Sequence, residues 1–375
     1  MHIPDGYLSP ATCATLYAAS APFWYIALQR VKRLLSSRLV PLISLFAAFS
    51  FVIMMFNLPL PGGTTGHAVG MGIAAIVLGP WASMLAISVA LLIQAVFFGD
   101  GGITAFGANC FNMAIVGSLV AYWVYRAVAG RAAIGATRRV VAGALAGYVA
   151  INVAALLTAI EFGIQPALYT DASGAPLYAP YPLNIAIPAM MLGHLTIAGL
   201  AELLVTGGVV AYLQRSDPAL LKLTAPNARG SEEGMQAVAR RGGWAATRRL
   251  WIGLAALMIL SPLGLLAAGS AWGEWGAADF ASGQARREIQ AASGNVAPPP
   301  SAPAGLDRLS SVWTAPIPDY APPWMKSAAF GYILSAMVGI GLVILTFFLI
   351  SWVARLLRGR DQPEAPTSAP GSGTA

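Results

Sequence analysis

The chain has 375 residues, 57% of them apolar and only 10% charged, against roughly 25% charged residues in soluble proteins, and its mean hydropathy is +0.67. This balance argues against a water-soluble enzyme, a disordered tail protein and a nucleic-acid binder, although 22 Lys and Arg against 15 Asp and Glu give a net charge of +7. In a membrane protein a basic excess sets orientation instead, so a lipid bilayer is the expected surrounding.

Taken in chain order, residues Met1 to Gly6 carry no positive charge and the first apolar run lasts beyond Leu28. A cleaved signal peptide has a basic start and an apolar stretch of only about 7–15 residues. Met1 is therefore expected to stay on the mature chain. A helix needs about 20 apolar residues to cross a bilayer. Segments 8–29, 39–57, 68–79, 80–98, 108–128, 139–161, 184–213, 250–271 and 328–353 meet or approach this. They predict an all-α integral membrane protein of about nine transmembrane helices, a seven-helix core followed by a two-helix hairpin.

The charges test that division. Loops 30–38, 79–80, 126–138, 214–249 and 354–375, with Arg139 at the edge of the next helix, hold 18 of the 22 basic residues and five acids. The alternate loops hold four basic and nine acidic residues. The positive-inside rule puts the first set in the cytoplasm, with the N-terminus outside and the C-terminus in the cytoplasm. Without the short 68–79 helix this alternation would fail.

Residues 1–213 read as one module with tight connections, and 214–249 as a polar cytoplasmic linker. Residues 250–353 read as a helix hairpin whose outer loop, containing Pro298-Pro299-Pro300, has too little apolar character to build much of a core. The Pro/Ser/Gly-rich stretch 354–375 reads as a disordered tail. Cys13 and Cys110 form no ligand or disulfide pattern and read as buried thiols. Small residues spaced by four at Gly143/Gly147 and Ala146/Ala150 mean close helix packing and carry no functional weight. Glu202 is the only acid expected within a span. Such a group usually faces protein or a cavity; a structural pairing, a partner-subunit contact and transport chemistry all fit it.

The three histidines, His2, His67 and His194, carry the chemistry. An X-His terminus offers three nitrogens in one chelate: the terminal amine, the His2 backbone amide once ionised, and the imidazole Nδ1. The amine and amide close a five-membered ring on a metal, and the amide and Nδ1 a six-membered one. The outer, glycine-rich stretch from Leu58 to Gly66 ends at His67, which can supply a fourth neutral donor on the same side. Four nitrogens in a plane suit Ni(II), and with an axial ligand Co(II), better than tetrahedral Zn(II) or oxygen-loving Mg(II). Taken singly, a His at position 2 is usually without function, and one at a helix end is usually an interface residue. Their joint occurrence on one face gives the metal reading its force. His194 lies about 15 Å into its helix, placed either for a hydrogen bond between helices or for a second metal station.

Several motifs occur in order: Met1-His2-Ile3-Pro4-Asp5-Gly6-Tyr7-Leu8-Ser9-Pro10, Pro61-Gly62-Gly63-Thr64-Thr65-Gly66-His67, Leu78-Gly79-Pro80-Trp81-Ala82, and the run from Phe98-Gly99-Asp100-Gly101 to Asn109. Through them the chain resembles, over roughly residues 1–213, the CbiM/NikM family, substrate-binding membrane subunits of energy-coupling factor importers for cobalt and nickel. The resemblance implies metal held by the Met1 amine, the His2 amide and imidazole, and His67. It implies an N-terminal helix added to a six-helix core, and a terminal segment dipping into that core from outside. It places polar groups at Asn109 and Asn112 near the site, where they are expected to orient the imidazoles, ordinary helix capping by Asn109 being the alternative. It also implies a coupling membrane subunit and two ATPase subunits as partners in the cytoplasmic membrane.

Gly276-Ala277-Ala278-Asp279 and Pro318-Asp319-Tyr320, leading through Trp324 to the last helix, resemble the small CbiN/NikN component, which implies a fusion of the two. No G-x-x-x-x-G-K-[ST] occurs, so ATP hydrolysis is expected on other chains and no cofactor is expected here; Ni(II) or Co(II) is the transported ligand. The alternatives are a membrane metalloenzyme, which would want a motif such as H-E-x-x-H, and a passive divalent-cation channel.

Overall fold

The computed structural model describes residues 1–32, 40–225, 243–267, 269–322 and 324–359. All nine expected segments contain helix. They are α1 (Pro10–Lys32), α2 (Val40–Met54), α3 (Met71–Leu78), α4 (Pro80–Phe98), α5 (Phe106–Ala129), α6 (Thr137–Leu168), α7 (Leu183–Ser216), then, after the short α8 (Pro218–Lys222), α9 (Gly243–Leu260) and, beyond three short helices, α13 (Ala328–Gly359). Among the described residues six stretches are long and apolar enough to cross a membrane: α4, α5, α6, α7, Thr247–Leu266 and α13. Helix α2 has 15 residues and α3 has eight. At 1.5 Å per residue α3 is about 12 Å long, and the non-helical residues 67–70 precede it.

The chain is not helical throughout. Leu58–Leu60 (β1) and Thr64–Gly66 (β2) pair antiparallel, with Pro59 opposite Thr65. Gly62 and Gly63 turn this hairpin with φ of 86° and 78°, which a residue bearing a Cβ resists. The hairpin lowers His67 into the bundle.

Contacts sort the loops into two ends, as the charge alternation requires. At one end the Gly102 N–H donates to the Ile3 carbonyl, Ala179 N–H to Tyr7, Gly305 N–H to Leu177 and Ile317 N–H to Phe97. At the other, the Gln214 side chain donates to the carbonyls of Ile134 and Ala136 at 2.7 and 3.0 Å, the Thr224 hydroxyl donates to the Ile76 carbonyl, and the Arg30 guanidinium sits over the Trp81 ring.

The core of the first module forms where small residues let helices close up. A Cβ on Gly147 of α6 would meet the Glu202 carbonyl of α7 at 2.9 Å, and one on Gly72 of α3 would meet the Gly147 Cα at 2.9 Å. The Gly143/Gly147 spacing is therefore the seam along which α3, α6 and α7 meet.

Four expectations are corrected. Glu161, the last residue of segment 139–161 and counted among the outer acids, lies inside α6 and is 8% exposed, so Glu202 is not the only acid in a membrane-spanning helix. The linker expected from residue 214 begins later, because α7 runs to Ser216 and α8 packs beside α3, burying Leu220 and Leu221, and the tail expected from residue 354 begins later too, because α13 runs to Gly359; residues 226–242 and 360–375 lie outside the described residues. The loop between α9 and α13 does build core. It folds into α10 (Ala277–Ala281), α11 (Gly283–Ala292) and α12 (Ala304–Leu309), and it buries Trp272, Trp275, Phe280, Ile289, Leu306 and Tyr320. Its Pro-rich composition hides the fact that the core is shared: Trp272 packs on Phe162 and Tyr181 of the first module, and Tyr320 stacks on Phe98 at 4.9 Å.

Candidate metal centre

The N-terminal segment is threaded into one end of the bundle and pinned there by its backbone. Asn109 accepts the Ile3 N–H at 2.8 Å and returns its side-chain N–H to the Ile3 carbonyl at 3.1 Å. The Asp5 carboxylate takes the N–H groups of Ile103 and Thr104 at 3.1 and 2.7 Å, together with the Thr104 hydroxyl. Ser9 N–H donates to Gln165 and the Tyr7 hydroxyl to the Trp275 carbonyl. These contacts hold the first three residues at 2%, 1% and 0% exposure.

Held this way, His2 meets His67. The His67 Nε2 lies 3.3 Å from the His2 Nδ1, with both rings buried and their centroids 4.9 Å apart. His67 Nδ1 faces the Ala68 carbonyl at 3.1 Å. A carbonyl only accepts, so Nδ1 carries the proton and Nε2 presents a lone pair, the arrangement common among metal-ligating histidines. Burial first, then the neighbouring His2 and the terminal amine, push the His67 imidazole well below its ordinary pKa, which keeps it neutral.

Acids frame the pair. Asp100, in the turn after α4, accepts from His2 Nδ1 at 2.9 Å on one oxygen and from the Tyr320 hydroxyl at 2.5 Å and Gln94 at 3.1 Å on the other. Burial works against its ionisation, but the charge and hydrogen bond of His2 overcome that and hold its carboxyl below the usual carboxylate range. Burial and the Asp100 charge push the Tyr320 phenol well up, so it remains a donor. The Met1 amine is paired with Glu274 at 3.2 Å. A polar cavity of about 230 Å³ adjoins this cluster, bordered by His67, Asp100, Glu274, Asp319 and Tyr320.

Among the described residues no three His, Cys, Asp or Glu side chains are arranged to hold an ion by themselves. A metal here would draw on main-chain and terminal nitrogens as well as on imidazole. For metal–nitrogen bonds of about 2.0–2.1 Å, adjacent corners of a square lie about 2.9 Å apart, so the 3.3 Å between the two ring nitrogens needs only a small contraction.

The other sequence-selected residues sit differently from expectation. Asn109 neither caps its helix nor touches an imidazole; it clamps Ile3, next to His2. Asn112 donates to Glu161 at 2.8 Å and to Thr158 at 3.1 Å, away from the rings it was expected to orient. His194 is buried in α7 with Nδ1 on the Met190 carbonyl of its own helix at 2.9 Å, a bond within one helix rather than between two. Glu202 binds backbone near His67. Sequence reasoning does not single out Asp100, Glu274 or Tyr320 as site residues: the two acids count there only as outer-loop charge, and Asp100 and Tyr320 also stand within motifs that carry the resemblance.

Residues 2–220 match the family model described as the cobalt uptake substrate-specific transmembrane region, and residues 246–356 match the PDGLE domain. The chain belongs to the CbiM family. It carries the accessory component fused to it, as the names of two similar relatives state for themselves. It is 57% identical over 360 residues to the fused nickel transport protein NikMN of Rhodobacter capsulatus, covering 96% of this chain and 99% of that one. It is 42% identical over 350 residues to the probable fused nickel transport protein LarMN of Lactiplantibacillus plantarum, covering 92% and 96%. A crystal structure of a truncated transition metal transporter superposes with a TM-score of 0.54 at 52% identity, covering 57% of this chain and 98% of that one. The CbiM-family match covers every residue of the cluster except Met1, Glu274, Asp319 and Tyr320; the last three come from the PDGLE part.

Proposed function

We propose that this chain is the substrate-binding membrane subunit of an ATP-driven importer of divalent nickel or cobalt. The observation that carries the reading is the threaded terminus: it buries an X-His chelate against a neutral imidazole, with two ring nitrogens 3.3 Å apart. The Met1 amine, the His2 amide and Nδ1, and the His67 Nε2 form the four corners. A metal at this site would take the place of the proton that the Met1 ammonium directs at Glu274, of the His2 amide proton and of the proton that His2 Nδ1 directs at Asp100; the two carboxylates, 3.2 and 2.9 Å away, stand ready to receive the first and last of these. Relatives named for nickel transport support nickel, which also suits a planar nitrogen set.

The helices from α1 to α8 form the binding module and those from α9 to α13 the accessory hairpin, whose outer loop closes over the site. The protein lies in the cytoplasmic membrane with the metal-site end outside and the basic end in the cytoplasm, in line with the distribution of Lys and Arg. A coupling membrane subunit and two ATPase subunits supply the energy.

Uptake of radioactive nickel and cobalt by cells expressing the chain with its partners tests this directly. Uptake stops when the ATPase is inactivated by substitution; uptake that persists at the same rate identifies a passive channel instead.

A further inference from the structure

Glu202 is wholly buried in α7, and the metal chemistry above makes no direct use of it. Its two oxygens gather four donors. Oε2 takes the N–H groups of Val69 and Gly70 at 2.8 and 2.9 Å, and Oε1 takes the Gly72 N–H and the Thr206 hydroxyl, each at 3.2 Å. Three of the four belong to the short backbone stretch that runs from His67 into α3.

That stretch has a specific problem. Residues 67–70 are not helical, and the first N–H groups of α3 have no partner within the helix. Inside a bilayer no water is at hand, and each unsatisfied backbone group costs several kcal/mol. A side-chain carboxyl from a neighbouring helix resolves this, in the place where a helix N-terminus favours negative charge. From the other side, the Ser50 hydroxyl donates to the Val69 carbonyl at 2.7 Å. Gly70, at φ 75°, makes the bend into α3, and Gly72 lies so close to Thr206 and Gly147 that no side chain fits between the three helices there. The segment two residues after His67 is thus fixed on both its N–H and its carbonyl side.

We infer that Glu202 is a positioning residue for the metal site: by holding Val69, Gly70 and Gly72 it sets the backbone that delivers His67 Nε2 to the fourth corner. This rests on the reading of His67 as a ligand. The buried acid reaches the metal through main-chain hydrogen bonds and does not touch the ion.

The test is nickel titration of the purified full-length chain, with the visible spectrum recorded for wild type, His67→Ala, Glu202→Gln and the double variant. Glu202→Gln keeps the shape but turns N–H donors toward N–H donors. It is expected to weaken nickel binding about tenfold and to move the visible band toward that of His67→Ala. In the double variant the losses do not add: affinity stays within about twofold of His67→Ala alone, as for residues acting through one contact. Glu202→Asp retracts the carboxylate by about one bond and, as the milder change, must shift the band the same way if Glu202→Gln does not fold. A folded Glu202 variant with lower thermal stability but wild-type affinity and spectrum overturns the positioning role. If His67→Ala itself binds nickel as wild type does, the ligand reading fails; if His67→Ala loses binding and the Glu202 variants do not, only the positioning role fails.

Discussion

The two modules are held in the membrane in different ways. In the first module the buried share of the most apolar stretch falls from 72% in α4 through 61% in α5 and 50% in α6 to 33% in α7; in the C-terminal pair the figures are 17% for Thr247–Leu266 and 28% for α13. The first module packs helix on helix along glycine seams. The hairpin turns most of its apolar surface outward, with Leu266, Leu345, Phe348 and Trp352 exposed, and it joins the rest through one side against α2 and through its outer loop. That loop brings Glu274 to the Met1 amine and Tyr320 to Asp100, at the candidate metal centre. The comparison teaches that the accessory part is tied in largely through its loop at the candidate metal centre, with little of its membrane-embedded surface committed to the first module.

This contrast can be broken or sharpened by measurement, starting with the largest effect. One residue added ahead of Met1 removes the chelating amine from its place and should abolish high-affinity nickel binding while the protein still elutes as a folded species; an unchanged titration would remove the terminus from the site. His67→Ala should weaken binding more than tenfold in calorimetry, and near-native affinity would leave the fourth corner without a ligand.

Deleting residues 226–375, beyond α8, should impair transport while the first module still binds nickel, since all four proposed donors remain. Loss of binding on truncation would mean that the two modules form a single unit. Gly147→Val forces a side chain against the Glu202 carbonyl and Thr206 and should destabilise the first module by about 1–3 kcal/mol, the usual cost of overpacking; a wild-type melting temperature would show that the seam yields. Tyr320→Phe deletes the hydroxyl shared by Asp100 and Gln94. It should cost about 1 kcal/mol, read as a small loss of thermal stability with nickel binding retained.

Much of the scaffold was legible because a bilayer imposes a length rule: runs of about 20 apolar residues show plainly, and alternating Lys and Arg content sorts the loops by side. His2 and His67 stood out because histidine is scarce here and both fall on the same face. What escaped the sequence depends on pairing across long separations. Asp100 and Tyr320 lie 220 residues apart and meet at 2.5 Å, and Met1 meets Glu274 across 273 residues; no local pattern encodes either contact. The outer loop was misjudged because average composition dilutes a few decisive side chains: Trp272, Trp275 and Tyr320 are anchors whose partners lie in the other module. Asn109 was placed at the right level but given the wrong partner, since spacing puts a residue near a site without saying that it will grip backbone rather than imidazole.

The central claim is a plane of four nitrogens built on the chain's own start. Its most direct test is the absorption spectrum and magnetic susceptibility of the purified, nickel-loaded protein. A yellow, diamagnetic species is the expected result, because a strong planar nitrogen field pairs the electrons of Ni(II); a paramagnetic, six-coordinate nickel spectrum would contradict the account.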